Sequence, residues 1–90
     1  MNAATERQVA WELADYLTPR LSVSERTLVF VDLGSDDFLP AIHRLLHIAL
    51  CRQLALTPIT LERLHLWTRI YSREHEYASL LARIKKTPPR

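Results

Sequence analysis

The chain has 90 residues, 48% of them apolar and 24% charged, with one glycine, five prolines and one cysteine. That composition excludes disordered and collagen-like chains, and the length suits one small domain. Twelve Lys and Arg against ten Asp and Glu leave a net charge of +2, too small to point by itself to nucleic acid or to a membrane surface.

The longest apolar runs, at residues 28–31 and 48–51, are four residues each. A membrane-spanning helix needs about 20 and a secretory segment about 7–15, so neither is expected. A single cysteine cannot close a disulfide within the chain, which points to a reducing, cytoplasmic setting. A chain this short buries only roughly 64% of its unfolded surface. Self-association is therefore a natural way for it to gain burial.

In chain order, Thr5-x-x-Gln8 is a capping-box pattern that opens a first helix over residues 5–17. Its stripe is Val9, Leu13, Tyr16 and Leu17, and Thr18-Pro19 ends it. Ser22-x-x-Glu25 is a second capping box, opening a helix over 24–33. Within it, Thr27 to Leu33 is rich in β-branched residues and also reads as a strand paired across a dimer. Helix is favoured because Gly34, the only glycine, stands where a C′ glycine would end it, and no other segment offers a strand partner.

The third helix covers 38–54, with Asp37 as N-cap and Pro40 at N3, where its missing N–H costs nothing. Phe38, Leu39, Ile42, Leu45, Leu46, Ala49 and Leu50 fall within about 140° of one another. Ile48 lies on another side, which marks this helix as central. Thr57-Pro58 caps a fourth helix over 58–71. One of its faces carries Leu61, Leu64, Trp67 and Tyr71, and a second carries Ile59, Leu66 and Ile70. A polar break at 72–76 precedes a fifth helix, 75–86, with Tyr77, Leu80, Leu81 and Ile84 on one stripe. The expected architecture is all-α, a compact bundle of about five helices forming a single domain over 1–86. Residues 87–90 continue Lys85 and Lys86 as a disordered basic tail.

Few residues suggest chemistry. His43, His47 and Cys51 recur every fourth residue, but residues eight apart are about 12 Å apart along a helix and cannot share one ion. Asp32, Asp36 and Asp37 match no calcium loop, and helix capping accounts for the last two. No phosphate loop, nucleophile elbow or His-Glu-x-x-His motif is present. The reading is a protein without catalytic activity, metal or cofactor.

Leu50-Cys-Arg-Gln-Leu-Ala-Leu-Thr-Pro-Ile-Thr-Leu-Glu-Arg63 resembles the helix-turn-helix segment of LuxR/GerE-type DNA-binding domains. Cys51 matches the small residue of the first helix, Leu54-Ala55-Leu56 the turn, and Thr57-Pro58 the cap of the recognition helix. The likeness implies that Arg63 and Arg69 face duplex DNA, with phosphates as their targets. Ile59 and Glu62 depart from that family's polar or basic preference.

The remaining signal is apolar surface. Trp11 lies about 150° from the stripe of its own helix, and Ile59, Leu66 and Ile70 oppose Trp67. The leading expectation is a small cytoplasmic interaction or regulatory module, dimerising or binding a protein partner through Trp11, Ile59, Leu66 and Ile70. Helix-turn-helix DNA binding is the alternative.

Overall fold

The structure, a computed structural model, describes residues 4–87, with side chains from Glu6 onward. Five helices follow one another: α1 (Ala4–Leu17), α2 (Val23–Gly34), α3 (Phe38–Cys51), α4 (Pro58–Ile70) and α5 (Glu74–Arg83), with a 3₁₀ turn at Thr18–Arg20. No strand occurs among the described residues, so the chain is all-α as expected, and residues 27–33 are helical. It divides into two units, Met1–Leu45 and Leu46–Arg90, with the boundary inside α3.

In the first unit α1 buries Val9, Ala10, Leu13, Ala14 and Leu17. Tyr16, expected in that stripe, is exposed; it lies about 90° from the middle of the buried row. α1 is already helical at Ala4, so Thr5 is in its first turn rather than before it. The side chain of Thr5, and with it the first capping box, lies outside the described residues. The Thr18 hydroxyl donates to the Ala14 carbonyl at the other end of α1, and the turn through Pro19 delivers Leu21 to the core. The second capping box forms as expected: the Glu25 amide donates to Ser22 Oγ at 3.1 Å and the Ser22 amide to Glu25 Oε1 at 2.8 Å. α3 adds Ala41, Ile42 and Leu45 to this core, and Arg44 Nε donates to Asp32 Oδ2 at 3.1 Å, tying α3 to α2.

The second unit is built on Leu46, Ala49, Leu56, Leu61, Leu64, Trp67, Tyr77, Leu81 and Ile84. Trp67 is wholly buried, its ring 5.2 Å from that of Tyr77 on α5. Thr57 caps α4 by accepting from the Thr60 amide at 3.2 Å, with Pro58 at N1. Thr68, polar yet buried, donates its hydroxyl to the His65 carbonyl at 2.7 Å.

Three helix ends differ from expectation, and α2, α3 and α4 share one kind of terminus. α3 stops at Cys51 rather than 54, and α5 at Arg83 rather than 86. α2 includes Gly34 as its last residue, and that glycine does not adopt positive φ. The left-handed positions are Asp36, Gln53 and Ser72, at φ of 60°, 55° and 56°. Each closes the same double hydrogen bond: Asp37 and Asp36 amides to Asp32 and Leu33 carbonyls, Leu54 and Gln53 to Ala49 and Leu50, Arg73 and Ser72 to Thr68 and Arg69. These are Schellman ends carried by residues with a Cβ.

The mismatch gives a paired expectation. A Cβ at Gly34 meets nothing within 4 Å, so Gly34→Ala should stabilise by about 0.5–1 kcal/mol through helix propensity. Gln53→Gly should stabilise by a similar amount, since relief of left-handed strain outweighs the added freedom of the unfolded chain. Urea midpoints of the two variants should both rise; a fall for either refutes its half of the pair.

Beyond α5 the chain turns extended at Ile84. The Leu56 amide donates to the Lys85 carbonyl and the Thr87 amide to the Leu56 carbonyl, both at 2.9 Å, forming an isolated parallel bridge of Leu56 with Lys86. Leu56 has no exposed surface, and a buried backbone amide and carbonyl must find partners. Lys85 to Thr87 supply them, which sequence periodicity does not reveal. The expected tail beyond Thr87 lies outside the described residues.

Candidate functional site

The buried row of α4 leaves the opposite side of the helix to solvent. Ile59 is 66%, Leu66 47% and Ile70 50% exposed. Arg63 stands in the same row, and Glu62 and Arg69 lie along one edge of it. Beside that edge a shallow groove of about 530 Å³ separates α4 from α5, lined among others by Ile59, Glu62, His65, Leu81 and Ala82.

A second apolar face lies in the first unit. Trp11 on α1 is 36% exposed, and its ring sits 6.2 Å from that of Phe30 on α2, 38% exposed. Val23, Leu28 and Val31 lie on the outward side of α2, with Phe30 at its flank beside Trp11, all exposed. α2 buries only Val29 and Leu33. Sequence reasoning placed Trp11 here but missed the α2 residues. The signal was present: in the run Leu28-Val-Phe-Val31 successive side chains turn by about 100°, so a helix cannot bury them all on one side.

Charge is partitioned in a way that the total of +2 conceals. Residues 1–45 hold four Arg against seven Asp and Glu, a net −3, and residues 46–90 hold eight Lys and Arg against three Glu, a net +5. The segment containing Arg63 and Arg69 is therefore strongly basic for its size.

His43, His47 and Cys51 are exposed along α3. Among the described residues no three His, Cys, Asp or Glu side chains converge as a metal-binding set. Asp32 is engaged by Arg44, Asp36 occupies a left-handed turn, and Asp37 precedes α3, where its carbonyl accepts from the Ala41 amide at 3.2 Å. No helix of the described residues is long and apolar enough to cross a membrane.

Among the described residues, fold and surface together define an all-α protein of five helices with apolar side chains exposed on α1, α2 and α4. Comparison with known proteins adds no relative: no family model, no curated protein and no solved structure matches the chain.

Proposed function

We propose that this chain is a non-catalytic helical interaction module that associates with itself, acting in the cytoplasm as a regulatory or adaptor protein. The observation that carries the reading is the solvent-facing row Ile59, Leu66 and Ile70 on α4. Large aliphatic side chains aligned on one exposed helix face mark an association surface more often than a catalytic one. The exposed Trp11–Phe30 pair supports the same reading, because aromatic side chains dominate interface energetics. Sedimentation equilibrium at micromolar concentration tests it. The expected mass exceeds the 10.5 kDa of one chain, and a strict monomer across the range defeats the self-association claim.

A second reading is favoured by the net +5 of residues 46–90. Helix-turn-helix binding would place Arg63 and Arg69 of α4 against DNA phosphates. Duplex binding would then be strongest at about 50 mM salt and fall steeply as salt rises. Its loss in the Arg63→Ala, Arg69→Ala double variant would put this reading first; no binding at low salt removes it. The three aliphatic side chains on the same outward face weigh against it, since they offer phosphates nothing.

A further inference from the structure

We propose that the outward face of α4 is a two-fold seam, in which α4 packs antiparallel against α4 of a second copy of this chain. The inference rests on the self-association reading and specifies its surface and its sense of pairing. Ile59, Arg63, Leu66 and Ile70 stand at i, i+4, i+7 and i+11, all exposed. That is the spacing of a helix–helix seam, in which a single polar residue is tolerated at a cost in affinity. The opposite side of α4 is occupied by Leu61, Leu64, Trp67 and Thr68, buried within the unit.

The two edges of the seam differ. One carries Thr60 and Trp67, half-buried and buried. The other carries Glu62 and Arg69, both exposed, with Glu62 bordering the groove toward Leu81 and Ala82. In a parallel pair each edge meets the opposite edge of its neighbour, so Glu62 and Arg69 would face Thr60 and Trp67 and find no opposite charge. In an antiparallel pair like edges meet with chain direction reversed. Glu62 then lies against Arg69 of the second copy and Arg69 against its Glu62, two equivalent ion pairs about an axis near His65 and Leu66. The edge is complementary to itself only in that sense, and these two ion pairs favour a second copy as the occupant. Arg63 of each copy, near the axis, must turn its guanidinium out to solvent and away from its counterpart. Three aliphatic side chains per copy make a small contact by the standard of stable interfaces, so the dimer is a micromolar one.

The test is sedimentation equilibrium at about 0.15 M salt, where the longer-range repulsion between two segments of net +5 is screened. Glu62→Arg and Arg69→Glu should each weaken dimerisation about tenfold or more, by setting like charges opposite one another. The double variant Glu62→Arg, Arg69→Glu should return the dissociation constant to within about threefold of the original. Unchanged thermal melting of the monomers guards against unfolding. As a second measurement, Leu66→Cys in a Cys51→Ser background should form a disulfide-linked dimer on mild oxidation, because residue 66 flanks the axis.

Single variants that dimerise normally overturn the seam and leave self-association to the Trp11–Phe30 face. Single variants that weaken without rescue by the double variant overturn the antiparallel pairing. A chain that remains monomeric throughout overturns both the seam and the reading beneath it.

Discussion

Trp67→Ala should cost about 3–5 kcal/mol of stability, the usual range for truncating a fully buried aromatic side chain. Trp67 has no exposed surface, and its ring packs 5.2 Å from that of Tyr77, joining α4 to α5. Truncation removes that aromatic contact and leaves a cavity that the flanking Leu61 and Leu64, held in the same helix face, fill only in part. Total stability for a chain of this size is about 5–13 kcal/mol, so one substitution consumes a large fraction of it. Urea denaturation followed by far-ultraviolet circular dichroism reads the change directly. Ile59→Ala, on the exposed side of the same helix, should move the curve by less than about 0.5 kcal/mol at submicromolar protein, where the seam is unoccupied. A Trp67→Ala shift as small as that of Ile59→Ala would contradict the packing described.

Removing residues 85–90 should destabilise the protein by about 1–3 kcal/mol, the net value of the two hydrogen bonds that join Leu56 to Lys85 and Thr87. The charges are not what matters. Lys85→Ala with Lys86→Ala keeps both backbone bonds and should be nearly neutral, while Thr87→Pro removes one donor and should account for about half of the truncation effect. Thermal or urea midpoints of the three variants separate a backbone role from an electrostatic one. Equal effects from truncation and from the double alanine variant would reverse the assignment.

Local chemistry made much of this fold readable. Ser22 with Glu25, and Thr57 with Pro58, announce helix starts because a side-chain oxygen must accept amides that no helical carbonyl reaches. The ends were harder. Glycine is the usual sign of a left-handed terminus, yet here Asp36, Gln53 and Ser72 take that role and the one glycine does not. The bridge at Leu56 was invisible for another reason: its partners lie about thirty residues away, beyond any periodicity, and their composition reads as tail. On α4 the outward row follows from spacing, whereas the outward residues of α2 hide in a run that looks uniformly apolar.

The opposed signs of the two units, −3 and +5, also bear on handling of the protein. In dilute buffer the anionic portion of one molecule draws the cationic portion of another, a nonspecific adhesion with no fixed stoichiometry. Electrolyte collapses such fields within about 8 Å at physiological strength. The protein should accordingly turn cloudy on dialysis against water and clear again when sodium chloride is restored.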